Sequence, residues 1–180
     1  MTATPTDDTA LTIAAKSGDL DAFEVLVRAH TPVVFAHALR FFGDRGAAED
    51  VTQEVWIKVY RALASFDERS RFSTWLYRVT RNTCLDSLRA GKHRPVPVDV
   101  LDDPLEGDFA DEVALRASLE HAMLALAPDD RDALSAVALF GLTYGEAAKE
   151  LGVPAGTVKS RVFRARRVLA HALMPTGSGA

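Results

Sequence analysis

Two stretches of the chain gather basic and aromatic side chains with at most one acid among them, a pattern suited to a polyanion. Residues 156–167 read GTVKSRVFRARR, with Lys159, Arg161, Arg164, Arg166 and Arg167 around a lone Phe163. No acid occurs from Leu151 to the end of the sequence. On a helix, Val158, Val162, Ala165, Leu169 and Ala172 form one apolar stripe. Lys159, Ser160, Phe163, Arg164, Arg167 and His171 fall on the opposite side. Phe163 is therefore expected outside the core, among donors, where a thymine methyl or a sugar could meet it. Arginine and lysine there can contact phosphates or a guanine edge. With Arg161 added, Lys159, Ser160, Arg161, Phe163, Arg164 and Arg167 are the candidate contacts to duplex DNA. An amphipathic helix with a solvated basic face is the plain alternative, but such a face normally mixes in acids.

The second stretch, residues 69–94, reads RSRFSTWLYRVTRNTCLDSLRAGKHR and holds seven Lys and Arg against one acid, Asp86. Phe72, Trp75 and Tyr77 interleave with Arg71, Arg78 and Arg81. Arginines that track phosphates, beside aromatics on which bases stack, suit single-stranded nucleic acid. Phe72, Leu76 and Val79 share a face and also read as core. A third set, Asp50, Gln53 and Glu54, makes a polar patch at i, i+3 and i+4. A solvated helix end accounts for it on physical grounds alone.

These residues need helices to hold them, and no convincing alternating strand pattern occurs. Apolar spacing predicts helices over about 19–42, 47–64 and 72–90. In the first, Phe23, Leu26, Val27, Val34 and Leu39 recur at helical spacing; in the second, Val51, Val55, Val59 and Leu63 repeat every four. Glu49 and Asp50 would lie in the first turn of the second helix, suiting the positive end of its dipole. Further helices are expected over about 113–126 and from Pro128, with Asp129 and Asp130 in the first turn, to Gly141. Thr143 and Glu146 have the spacing of a capping box before a short helix ending near Leu151. Gly152 then supplies a turn, small Ala148 allows close approach, and Pro154 opens a last helix to about Leu173. Short helix, glycine turn and longer basic helix is a helix-turn-helix layout.

The chain carries a net charge of −4, but unevenly. Residues 1–94 have 13 Lys and Arg against 12 Asp and Glu, and residues 113–180 have eight against six. Between them, PVPVDVLDDPLEGDFADE (95–112) has seven acids and no base, broken by proline and glycine. The expectation is an all-α chain of two small helical domains, 19–94 and 113–173, joined by a flexible acidic linker at 95–112. Flexible ends would cover 1–18 and 174–180.

Other chemistry finds little support. His30, His37, His93, His121 and His171 lie far apart without metal-ligand spacing, and no glycine-rich phosphate loop occurs. Cys84 reads as a small packed residue, not a nucleophile. As a lone cysteine it excludes an internal disulfide and fits a reducing cytoplasm. No apolar run approaches the roughly 20 residues that span a bilayer, and the first residues lack a secretory pattern. No catalytic residue, cofactor or metal is expected.

The ordered blocks EDVTQEVWIKVYRAL, RFSTWLYRVTRNTCLDSLR, an acidic linker and LTYGEAAKELGVPAGTVKSRVFRARRVL closely resemble the extracytoplasmic-function (group IV) sigma factors of bacterial RNA polymerase. The resemblance spans about residues 19–173. It implies that the first domain is sigma region 2, which binds the polymerase clamp helices and reads the −10 element. Asp50, Gln53 and Glu54 would then face the clamp helices. The loop Ser65–Phe72, including Phe66, Asp67 and Arg71, with Asn82 on the helix behind it, would take a flipped base; Trp75 and Arg78 would border it. The second domain would be region 4, reading the −35 element through Lys159, Ser160, Phe163 and Arg164. The family often has arginine where Lys159 stands, and lysine offers a point charge in place of a bidentate fork. The linker would follow the path of nascent RNA, where its acids suit a positive channel. Implied partners are core RNA polymerase, promoter DNA and an anti-sigma factor that masks both domains, with no membrane contact. The short tail MPTGSGA speaks against an appended sensor domain. The rival reading is an autonomous helix-turn-helix regulator, which would need its own operator affinity and usually a dimer.

Overall fold

A computed structural model describes residues 8–93, 118–119 and 121–173. The expected acidic linker and the C-terminal tail lie outside them. All regular elements among the described residues are helical.

The N-terminal half is built on three long helices. α2 (Leu20–Phe42) starts at Asp19, whose carboxylate accepts the Ala22 amide at 3.0 Å, and stops at Gly43, which takes φ 69°. A left-handed stop of this kind suits glycine, which has no Cβ to clash. α3 (Arg45–Ala62) starts two residues earlier than the sequence predicts. Asp44 is its N-cap, accepting the Ala47 amide at 2.6 Å. Glu49 and Asp50 thus lie beyond the first turn, and Glu49 instead pairs with Arg45 at i, i+4. A single 3₁₀ turn (Leu63–Ser65) leads to the loop before α4 (Phe72–Arg89). Val51, Val55, Val59 and Leu63 are all buried, together with Leu26, Val34, Phe42, Leu76 and Cys84. The four-residue valine repeat is therefore the inner face of α3, packed on α2 and α4.

The expected flexible segment 1–18 contains a helix, α1 (Thr9–Lys16). Eight residues are too few to be helical alone in water, and no side chain caps the start. Its stability comes from docking. Thr12 is buried, Asp8 pairs with His30 at 2.8 Å, and Lys16 bonds to the loop ahead of α4.

The C-terminal half begins with α5, helical at residues 118–119 and 121–125. α6 (Pro128–Ala138) opens with proline and two acids, as predicted. α7 (Tyr144–Leu151) has the full Thr143/Glu146 capping box and ends at Gly152, φ 67°. α8 (Ala155–Leu173) buries Val158, Val162 and Ala165 against α6 and α7, with Leu169 partly buried. Ala147, more than Ala148, is the small residue sealed in the turn. The outer end of the stripe, Ala172, is exposed.

Candidate nucleic-acid and polymerase surfaces

The exposed side of α8 carries Phe163, 67% accessible, with Lys159, Ser160, Arg164 and Arg167. A phenylalanine left this open among cations matches the prediction from helical phase. Its neighbours are not equally available. The Lys159 ammonium stands 5.7 Å from the Tyr144 ring centre, and the Ser160 hydroxyl donates to the Thr157 carbonyl at 2.9 Å. Arg164 grips Asp130 with Nε and Nη2, at 3.0 and 2.7 Å. A guanidinium has five N–H donors, so this grip leaves Nη1 to reach outward from a fixed arm. Arg161 is turned to Asp129 and its side chain is only 16% exposed, so the structure does not bring it to the open row. The two acids that open α6 thus orient two arginines of α8.

In the N-terminal half, the loop before α4 is held by α1. The Lys16 ammonium donates to the Phe66 carbonyl at 2.5 Å and to Glu68 at 2.6 Å. Glu68 has φ 59°, a costly value for a non-glycine residue that its surroundings must hold. Phe66 and Phe72 are buried, and Trp75 is half-buried with its ring 5.1 Å from Phe66 and 5.9 Å from Phe72. These rings form a wall more than an open stacking platform. A cavity of about 490 Å³ adjoins it, lined in part by Phe66, Ser70, Arg71 and Phe72. Asp67 accepts from the Arg69 amide at 3.2 Å, and the Ser65 hydroxyl donates to the Ala62 carbonyl, and both residues remain exposed to solvent. Asn82 is exposed but follows Phe72 by ten residues, about 15 Å of helix rise, and is not among the residues lining the cavity.

On α3, Asp50 and Gln53 are exposed, while Glu54 is half-buried beside Lys58 at 3.2 Å and Lys92 at 3.7 Å. Ile57, 51% exposed, continues their face by one turn. The sequence reading passed over it, although its position off the valine repeat was the available signal.

A further feature was missed altogether. Arg71, Thr74, Arg78 and Arg81 succeed each other at intervals of three, four and three, a single face of α4. That face meets acids of the C-terminal half. Arg71 bonds both oxygens of Glu146 at 3.2 and 2.7 Å and the Gly141 carbonyl at 2.8 Å. Thr74 donates to Glu146 at 3.0 Å. Arg78 is bidentate to Glu150 at 2.8 and 2.7 Å, and Arg81 reaches Asp132 at 2.5 Å. Tyr77, expected among the stacking aromatics, is fully buried and donates to Asp132 at 2.6 Å. Its ring and His37 close edge-on around Phe140 from the C-terminal half. Partial burial pushes the Glu146 carboxyl up, but hydrogen bonds from Arg71, Thr143 and Thr74 outweigh it and hold the pKa down to about 2. Burial pushes the Cys84 thiol up to about 12, fitting a packed residue. Among the described residues no group of His, Cys, Asp and Glu could hold a metal ion.

Comparison with known proteins gives this arrangement its relatives. The family description "Sigma-70 region 2" matches residues 26–94, and "Sigma-70, region 4" matches residues 116–169. The RNA polymerase sigma-H factor of Pseudomonas aeruginosa is 37% identical, over 96% of each chain. The ECF RNA polymerase sigma-E factor of Escherichia coli K12 is 36% identical, over 93% of this chain and 95% of that one. Among solved structures, CnrH in complex with the cytosolic domain of CnrY superposes with a TM-score of 0.65 at 27% identity, covering 93% of this chain and 97% of that one. The sigma factor RpoE of Bartonella quintana, in complex with the anti-sigma factor NepR, gives 0.64 at 26%, covering 86% and 98%.

Proposed function

The chain belongs to the extracytoplasmic-function sigma factors, and from that premise we propose that it binds core RNA polymerase and directs initiation at promoters with its own −10 and −35 elements. The observation that carries this reading is the presence of both sigma regions, in order, in a chain that aligns with its relatives almost end to end. The polymerase performs the chemistry. This chain supplies sequence choice and strand capture, so no residue of it is assigned a catalytic part. Its site of action is the cytoplasm, where the polymerase works; no described helix is long and apolar enough to cross a membrane.

The parts divide as follows. The exposed row on α8 reads duplex DNA: Phe163 meets a thymine methyl or sugar, while Lys159, Ser160, Arg164 through Nη1 and Arg167 contact base edges or phosphates. Arg161 is kept for bracing α8 on α6. Asp50, Gln53 and Glu54 meet the polymerase, and Ile57 adds an apolar contact at the centre of that patch. The Ser65–Phe72 loop, held by Lys16, receives a base from the opening strand, for which Phe66, Phe72 and Trp75 form one side. Arg71 and Arg78 follow its phosphates, and Arg81 extends that line. The domain bounds follow the sequence reading, 19–94 and 113–173, with α1 added to the first. One of the solved relatives is in complex with an anti-sigma factor, and control by an anti-sigma factor is part of the same proposal.

Gel filtration of the chain with core bacterial polymerase tests the reading. Co-elution is expected, and loss of co-elution in Asp50→Ala/Gln53→Ala, with helicity unchanged, would locate the contact. A wild-type chain that never joins the polymerase would overturn it.

A further inference from the structure

Arg164 and Asp130 form a pair unlike the other on α8. The Arg164 guanidinium donates through Nε and Nη2 to both carboxylate oxygens, at 3.0 and 2.7 Å. The Asp130 side chain is only 11% exposed, whereas that of Arg164 is 53% exposed. The paired edge of the guanidinium therefore faces the protein and its other edge faces solvent. At Arg161 the burial is reversed, with the arginine covered and Asp129 open. The root of Arg164 is fixed as well, because the next residue, Ala165, is fully buried where α8 packs on α6.

The grip uses two of the five N–H groups of the guanidinium. Those remaining are both on Nη1 and one on Nη2, and one from each nitrogen point side by side away from Asp130. Two parallel donors match guanine, whose O6 and N7 both accept in the major groove. They do not match adenine or cytosine, which each present an amino donor, and thymine offers one acceptor beside its methyl group. A phosphate also offers two acceptors, but it is charged. The Asp130 carboxylate cancels the positive charge of Arg164 and repels a phosphate, while the neutral guanine edge keeps both hydrogen bonds. No carboxylate pairs with Lys159, Arg166 or Arg167 among the described residues. Those side chains keep their full attraction for the DNA backbone.

We infer that Asp130 is a specificity-determining residue of the duplex-reading surface, turning Arg164 from a general phosphate contact into a reader of one guanine. This deepens the functional reading above and rests on it. Asp130 itself touches no DNA in this arrangement; it is a positioning residue that acts through Arg164.

The test uses holoenzyme assembled from the full chain and core polymerase, with promoters randomised in the −35 element and selected by transcription. Wild-type holoenzyme is expected to enrich guanine at one position, and Arg164→Ala to lose that preference there alone, which identifies the position. Asp130→Asn should lower the preference at the same position by about tenfold, the discrimination of one base contact. On a duplex with adenine at that position its effect should have the opposite sign. There the variant should bind more tightly than the wild type, with a salt slope steeper by about one, because the released arginine takes a phosphate. A structural lesion would instead weaken both duplexes. Guanine preference retained in Asp130→Asn, or weaker binding to both duplexes with helicity unchanged, would overturn the inference. A second variant covers an Asp130→Asn chain that fails to join the polymerase. Arg164→Lys keeps the charge pair but offers a point charge in place of two parallel donors, and should lose the guanine preference. Its retention would also overturn the inference. Wild-type holoenzyme that selects no −35 element at all would sink the sigma-factor reading, whereas an element without guanine at the Arg164 position would sink only the role of Asp130.

Discussion

At the scale of single residues, Phe163 is the sharpest indicator of what α8 does. A large apolar side chain held 67% open gains nothing for folding. Phe163→Ala should leave stability and polymerase binding intact while lowering transcription from a cognate promoter by about tenfold, as expected for a contact worth roughly 1–3 kcal/mol. Equal transcription from wild type and variant would return Phe163 to the idle surface. Lys16 makes a different claim, because it touches no nucleic acid in the proposed arrangement. It holds the loop at Phe66 and Glu68, so Lys16→Ala should weaken strand opening, read by permanganate reactivity of the melted region, while duplex binding stays unchanged. Parallel loss of both would mean that α1 merely supports the fold.

At the scale of elements, caps and interfaces set the balance. The Thr143 hydroxyl accepts from the Glu146 amide while Glu146 accepts from the Thr143 amide. Thr143→Ala should therefore cost about 1 kcal/mol in chemical denaturation. His37 predicts a pH effect. It is fully buried with neither ring nitrogen hydrogen-bonded, packed among Phe41, Tyr77 and Phe140. Burial lowers its pKa from 6.5 to about 4; Asp132 opposes this, and Arg40 and Arg81 assist it. The neutral ring is the folded form, so its contribution is fully present above pH 6.5 and is lost as pH falls toward 4. The shift corresponds to about 3 kcal/mol. Denaturation midpoints measured across that window should fall, and His37→Leu should flatten the slope. Glu146 adds to the loss at lower pH, because its depressed pKa makes its contribution vanish between about 4.5 and 2.

These elements were unevenly legible in the sequence. The valine repeat, the capping box and Gly152 each have a local cause and were readable as such. The phase of α8 likewise exposed Phe163 without any structure. α1 was not readable, because its eight residues are helical only through docking on α2 and the loop. Arg78 and Glu150 were both visible as charges, but nothing in their spacing says that they meet across 72 positions of chain. Long-range pairing of this kind is a property of the closed arrangement. For the same reason the pairing of Arg161 with Asp129 was not readable from the sequence.

At the scale of the whole molecule, the two halves meet through Arg71–Glu146, Arg78–Glu150 and Arg81–Asp132, and through Phe140 against Tyr77 and His37. The ion pairs of the exposed arginines Arg71 and Arg78 contribute only about 0.2–1 kcal/mol each, whereas Arg81–Asp132 and the contacts of Phe140 with Tyr77 and His37 are shielded from solvent. Raising salt should loosen the closed state, since screening at about 8 Å acts on partly exposed pairs. Energy transfer between dyes on Arg28→Cys and Ala170→Cys, in a Cys84→Ala background, should accordingly fall between low and physiological salt.

The most direct measurement of the central claim is to add the purified chain to core bacterial RNA polymerase and map transcription start sites on genomic DNA. Discrete new starts, preceded by two shared motifs at a fixed spacing, are the predicted result. Starts indistinguishable from those of core polymerase alone, with sequence-specific duplex binding by the chain by itself, would contradict it and make the protein a free-standing regulator.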